Sequence, residues 1–289
     1  MTWSFSAHSS FRKCPRQWFY KQHVANHKAS NPLRHQAYVL SKQENIPAWR
    51  GKIVDTVISE VIIPQLNWGR TITLGQAMAS ADRLFIERQQ TTSFFTTDGL
   101  PPTTEAFDAA RSQIHLAIEN FYKAEGVWAI LRQAERRIPQ RALSFMHNGT
   151  AVRVVPDLIT FHDGQPPTIF DWKVNNRALR DYRLQLVTGA IALSRCKPHR
   201  DWAPGITNHR PHTMTLLEIQ LLAGRVKEHS FTEEDVYDAE DLISISSDAM
   251  QLAVNNNPKA VTPEELPAAL DPRACQWCNF KPLCWRTNA

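Results

Sequence analysis

Val155-Pro156-Asp157-Leu158 and Phe170-Asp171-Trp172-Lys173, joined across His162-Asp163-Gly164-Gln165-Pro166, form the stretch that decides the fold. On a strand, residues i and i+2 share a face, so Asp171 and Lys173 point one way and Trp172 the other. With the turn centred on Gly164, paired residue numbers sum to 328 and Asp157 stands opposite Asp171. Cross-strand neighbours hold their Cβ atoms roughly 5 Å apart, and like charges there are destabilising unless something positive lies between them. Two hard oxygen donors with open positions suit Mg2+ or Mn2+. Lys173 completes a group able to activate water beside a phosphodiester. A plainer reading stands beside it, a surface hairpin in which Lys173 only offsets the two acids.

Working outward, Arg136 to Phe145, Ala151 to Phe161 and Thr168 to Val174 read as strands, followed by a helix over 178–195 and strands near 212–222 and 225–231. Thr232 with Asp235 three residues on marks the start of an acidic helix reaching about 255. Upstream, apolar residues at helical spacing from Trp49 to Leu66 predict a helix ending at Pro64, and further helices are expected at 74–90 and 104–124. The fold class is therefore α/β, a mixed sheet flanked by helices behind a helical N-terminal part. The expected division is 1–130 (helical and basic), 131–256 (the sheet-bearing core) and 257–289 (Cys-rich), all in one compact unit.

The chain has 289 residues, 43% of them hydrophobic and 21% charged, with nine Trp against ten Gly, which excludes a disordered or low-complexity chain. The uncharged run from Leu184 to Leu193 is far short of the roughly 20 residues a membrane span needs, and the first sixteen residues carry no apolar leader, so a cytoplasmic protein without membrane contact is expected. The net charge of +5 is unevenly spread: residues 1–54 carry +8. Arg12, Lys13 and Arg16 lie in that arm among Trp3, Phe5, Phe11, Trp18, Phe19 and Tyr20, a mixture suited to phosphate contacts and base stacking, or simply to a soluble surface over core aromatics. No Gly-rich phosphate loop is present, so any ATP-driven motor working with this chain is another polypeptide.

Asp157, then Asp171-Trp172-Lys173, then a helix containing Gln185 resembles the PD-(D/E)XK nuclease superfamily. Phe5 to Ser10, Cys14-Pro15-Arg16 and Cys275-x2-Cys278-x5-Cys284 are similar to its RecB-like iron-sulfur branch, which includes AddB-type nuclease domains and CRISPR-associated exonucleases. The resemblance runs from Phe5 to Cys284 and implies a restriction-endonuclease-like fold. It also implies a metal-dependent DNA nuclease acting on single strands or ends, in repair, CRISPR adaptation or phage defence, possible partners being a separate helicase or a defence or adaptation subunit. Asp157 and Asp171 would bind Mg2+ or Mn2+ with the Trp172 carbonyl, Lys173 would assist the attacking water, and Gln185 would orient the lysine or the nucleic acid. Glu135 matches an acid often found ahead of the first strand, or is an exposed strand-edge residue. Two positions depart from the pattern: Asp55 stands where the family has His, as an oxygen ligand or an ordinary exposed helix residue, and Gly189 stands where it has Tyr, so that what the Tyr supplies is either absent or comes from Tyr182. An oxygen-ligating Asp55 keeps activity open, while a subunit that binds nucleic acid without turnover is the alternative.

Four thiolates, Cys14, Cys275, Cys278 and Cys284, suit zinc or a [4Fe–4S] cluster. Zinc sites usually draw on two short-spaced pairs, whereas here one distant Cys joins a close trio, which favours the cluster as a tie between the termini. Cys196 lies outside the pattern.

Overall fold

The structure, a computed structural model, describes residues 2–175, 182–202 and 209–284. In chain order its elements begin with β1 (Thr2–Trp3), α1 (Phe5–Lys13), α2 (Pro15–Phe19), α3 (Pro32–Lys42), α4 (Ile46–Thr56), α5 (Ile63–Asn67), α6 (Leu74–Thr91), α7 (Thr104–Lys123) and α8 (Glu125–Gln133). There follow β2 (Arg136–Pro139), β3 (Leu143–His147), β4 (Thr150–Val154), β5 (Leu158–His162), β6 (Gln165–Lys173) and α9 (Arg183–Arg195). The chain continues through β7 (Thr215–Gln220), β8 (Arg225–His229), α10 (Glu233–Ala253) and α11 (Arg273–Gln276). Residues 178–181 of the expected helix lie outside the described residues. No described helix is long and apolar enough to cross a membrane.

Two units divide the chain differently from the sequence reading. One comprises Met1–Asn45, Thr92–Thr103 and Leu242–Ala289, and the other Ile46–Thr91 and Thr104–Asp241. Helices α4–α8 belong with the sheet-bearing unit: α5 packs on β2 and α8 on β5, while α4 and α6 pack on α7.

The sheet order is β2-β5-β6-β7-β8, with only β6 and β7 parallel. Their crossover carries α9. β6 is central, and Ile169, Phe170, Asp171 and Trp172 are all buried along it. Helix α9 packs on β6 and β7 on one side and on the β3–β4 hairpin on the other, which is why it is apolar nearly all round. In the β5–β6 ladder Leu158 pairs with Phe170, Ile159 with Ile169 and Thr160 with Thr168, the expected register, before a bulge shifts His162 onto Gln165.

Two expected strands are each broken in two. The 136–145 segment divides at Gln140, which adopts a left-handed φ of 50°. The 151–161 segment divides at Val155-Pro156-Asp157, where Pro156 has no N–H for a ladder. The released halves β3 and β4 form their own hairpin over Asn148-Gly149, with φ values of 45° and 77° as a tight two-residue turn demands. The helix from 46 also runs on past Pro64. It opens into a wide π turn over Val57–Ile62, in which the Ile63 N–H reaches the Ile58 carbonyl, and Pro64 then takes the first turn of α5, where a missing N–H costs little.

Candidate active site

Asp157, Asp171, Lys173, Gln185 and Asp55 come together at one end of the central strand. Asp157 stands just before β5, and its Oδ2 accepts the Trp172 backbone N–H at 2.8 Å. The Trp172 indole points to the opposite face from Asp171, where its Nε1 donates to Asp55 Oδ1 at 2.9 Å. One residue thus ties a carboxylate from helix α4 to a carboxylate from the sheet. Trp172 contributes these two donors, its backbone N–H and its indole N–H.

On the other face, Lys173 Nζ lies 2.8 Å from Asp171 Oδ1 and 2.6 Å from Oδ2. Gln185, in the first turn of α9, donates from Nε2 to Asp171 Oδ1 at 2.8 Å and places its Oε1 3.4 Å from the ammonium. The Tyr182 ring covers the same ammonium at 4.5 Å, and its hydroxyl accepts from Asn175 at 3.2 Å. At Gly189 a Cβ would already touch Ile169 and Pro156 at 3.7–3.9 Å. That position faces Ile169 of β6 and Pro156.

Glu135 does not join the site. Its N–H pairs with the Phe161 carbonyl, at the far end of the β2–β5 ladder from Asp157, and its side chain is exposed. At about 3.3 Å per residue that places it on the order of 15 Å away. The same antiparallel pairing, Arg136 with Phe161 through Pro139 with Leu158, brings Gln140 to Asp157 instead. Gln140 Nε2 donates to Asp55 Oδ1 at 2.8 Å and to Asp157 Oδ1 at 3.3 Å.

Sequence reasoning missed three further groups. Glu218 on β7 is the parallel neighbour of Asp171 and is buried against His229, Oε2 to Nε2 at 2.8 Å. Its signal was an acid inside the apolar run Leu216-Leu217-Glu218-Ile219. Arg50, one turn before Asp55 on α4, is buried, donates to the Val174 carbonyl at 2.5 Å and contacts Gln113. Burial lowers its guanidinium pKa. Nothing in the local sequence marked either Arg50 or Gln140.

Burial and mutual repulsion both raise these acids, and Lys173 is the cation beside them. Burial pushes the Asp157 carboxyl well above its usual range, and Asp171 and Asp55 push it further, against the opposing pull of Lys173. Asp171 is raised by burial, opposed by Lys173 and reinforced by Glu218. Asp55 is raised chiefly by burial, with the Trp172 and Gln140 hydrogen bonds opposing. A set of carboxylate oxygens short of positive charge fits Mg2+ or Mn2+. As the side chains stand, the described residues contain no group of three or more His, Cys, Asp or Glu closed around a single ion.

In the other unit, all four motif cysteines, 14, 275, 278 and 284, border one cavity of about 380 Å3. Cys14 caps α2, its sulfur accepting from the Gln17 N–H at 3.4 Å. Burial, with the neighbouring cysteines adding, pushes the Cys278 thiol up to about 11. The Tyr20 and Phe280 rings stack beside them at 5.4 Å.

Arg16 is not a surface phosphate ligand. It is 3% exposed and donates to the Leu266 carbonyl at 2.7 Å and the Glu264 carbonyl at 3.2 Å, with Cys284 Sγ at 3.6 Å. Arg12 and Lys13 stay exposed at the end of α1. The N- and C-terminal segments of this unit are therefore joined without sulfur, as Trp3 to Ser246 at 2.6 Å also shows. Arg16→Ala strands the buried Leu266 carbonyl and removes the Glu264 contact, and an expected loss of about 2–3 kcal/mol is readable by urea unfolding. A loss below about 0.5 kcal/mol contradicts this role.

Fold and site together define an α/β protein with an acid-and-lysine centre on the middle strand of a mixed sheet. A family model described as the PD-(D/E)XK nuclease superfamily matches residues 2–285, and the chain belongs to that superfamily. No protein of curated function matches it. Among solved structures it is similar to a crystal structure from Eubacterium rectale provisionally assigned as an exonuclease, at 12% identity over 92% of this chain and 84% of that one, with a TM-score of 0.46. It is also similar to SSO0001, at 13% identity over 64% of this chain and 78% of that one, with a TM-score of 0.32. Membership rests on the family match alone.

Proposed function

We propose that the protein is a divalent-metal-dependent deoxyribonuclease that hydrolyses phosphodiester bonds in single-stranded DNA or at DNA ends. The observation that carries this is the convergence of Asp157, Asp171 and Lys173, with Gln185 bridging the last two. Asp157 and Asp171 would hold the cation, which would supply Lewis-acid polarisation of the phosphoryl oxygen and a water of lowered pKa. The protein's own part is orientation and charge. Trp172 N–H fixes Asp157, and Gln185 and Tyr182 hold the Lys173 ammonium where it can align the attacking water and offset charge developing on the phosphorus oxygens. Arg12 and Lys13 are assigned to backbone phosphates.

In the same proposal the four cysteines hold a [4Fe–4S] cluster, as in the RecB-like iron-sulfur branch, which their shared cavity supports. Asp55 inside the network and the Tyr182 ring over Lys173 favour a working site over a subunit that only binds. A helicase or a defence or adaptation subunit acting with it would be a separate chain.

The test is cleavage of labelled single- and double-stranded DNA by anaerobically purified protein. Products are expected with Mg2+ or Mn2+ and none after EDTA. DNA binding with no cleavage under any divalent metal overturns the enzyme reading in favour of the binding subunit. Iron and sulfide at about four each per chain are expected, and a colourless zinc protein contradicts the cluster.

A further inference from the structure

Among the described residues, four that are not glycine have a left-handed φ: Asn148, Asn255, Asn256 and Gln140. Asparagine tolerates that region because its short side chain can bond locally. Glutamine lacks that compensation, so Gln140 at φ 50° is held in a strained backbone conformation. Strain of this kind persists where the surroundings hold it, and here they are carboxylates. The Gln140 backbone N–H donates to the Asp157 carbonyl at 3.1 Å, which locks the turn. The turn in turn aims Nε2 at Asp55 Oδ1, 2.8 Å away, and at Asp157 Oδ1, 3.3 Å away.

The consequence lies in which oxygens are left over. Asp55 Oδ1 already accepts the Trp172 indole N–H at 2.9 Å, so with Gln140 both of its lone pairs are engaged, and no described residue donates to Oδ2. Asp157 is gripped at both oxygens, by Trp172 N–H and by Gln140. The amide brings no charge, so it orients the two acids without neutralising the field that attracts a cation. A lysine there would compete with the cation, and a glutamate would repel both acids.

We propose that Gln140 is a positioning residue of the cation site: its strained turn and its amide fix the carboxylates of Asp55 and Asp157 so that Asp55 presents Oδ2. This rests on the reading of the site as a divalent-metal nuclease centre. Outer partners of metal-ligating groups typically change affinity by about 10–100-fold. The experiment is Mn2+ binding to the full chain, followed by electron paramagnetic resonance, for wild type, Gln140→Ala and Gln140→Gly. Thermal unfolding of each is recorded without metal. Both variants are expected to bind Mn2+ at least about 10-fold more weakly. The metal-free Gly variant is expected to melt no lower than wild type, since glycine takes this φ without strain. Cleavage by the variants is expected to recover as Mn2+ is raised. Variants that bind Mn2+ like wild type, whatever their melting temperatures, overturn the role of Gln140 and leave the nuclease reading standing. A wild type that binds no Mn2+ overturns both. Should the Ala variant fail to fold, the Gly variant decides.

Discussion

Lys173→Met is expected to slow DNA cleavage by about 10^3-fold, inside the ~10^2–10^4 range of a positioned proton-transfer group, while the fold survives. Methionine keeps most of the apolar stem, so the change removes the ammonium with little packing loss. What goes with it is the cation 2.6–2.8 Å from Asp171 and the positive charge under the Tyr182 ring. Asp171, already raised by burial, then loses the charge that most opposes that rise. Arginine is not expected to rescue, because a planar fork does not fit a space shaped by Asp171, Gln185 and a ring at 4.5 Å. The measurement is single-turnover cleavage at saturating Mn2+, with Mn2+ affinity determined in parallel. Loss of turnover with affinity retained within a few-fold is the expected pair of results. Unchanged turnover would reduce Lys173 to the hairpin salt bridge that the sequence alone also allowed.

Much of the sheet was readable because its signals are local. Alternation at period two places Asp171 and Lys173 on one face, and the short gap around Gly164 fixes the Leu158–Phe170 register. The errors fall where chain direction changes inside an apolar segment. Pro156 and the Asn148-Gly149 turn were visible signals, yet the residues around them are apolar enough to read as two long strands and not four short ones. Pro64 misled for the opposite reason. A proline usually ends a helix, but here Pro64 falls in the first turn of α5, just after the π turn over Val57–Ile62, where a missing N–H costs little.

The site divides in the same way. Asp157, Asp171, Lys173 and Gln185 follow from spacing within one hairpin and the helix after it. Asp55 and Gln140 reach the site through contacts 117 and 85 residues apart in sequence, which no local pattern encodes. Glu135 was selected by chain position, and the antiparallel pairing of β2 with β5 reverses the outcome: moving along β2 brings the residue after the strand, not the one before it, to Asp157. Arg16 read as a phosphate ligand because its neighbours Arg12 and Lys13 are exposed. Its burial depends on carbonyls 248 and 250 residues away.

Glu218→Ala is expected to cost about 3–5 kcal/mol of stability, the usual penalty for breaking a buried ionisable pair. The Glu218 and His229 side chains are each 2% exposed, and they meet at 2.8 Å between β7 and β8. Glu218 Oε1 also accepts from Gln220 at 2.9 Å. Truncation therefore leaves a buried imidazole nitrogen without its partner as well as a cavity in the strand next to Asp171. If the penalty comes from that stranded group, replacing both partners by leucine should cost far less than the sum of the single changes, because two apolar side chains need no partner. Urea unfolding of Glu218→Ala, Glu218→Leu, His229→Leu and the double leucine variant measures this directly. Additive losses would show that the two residues act as independent packing elements, and a single loss below about 1 kcal/mol would show that the pair contributes little. The pair also adjoins Asp171: Glu218 helps hold the Asp171 carboxyl up and His229 opposes it, so on β7 the sheet buries an acid with its own partner beside the strand that carries Asp171 and Lys173.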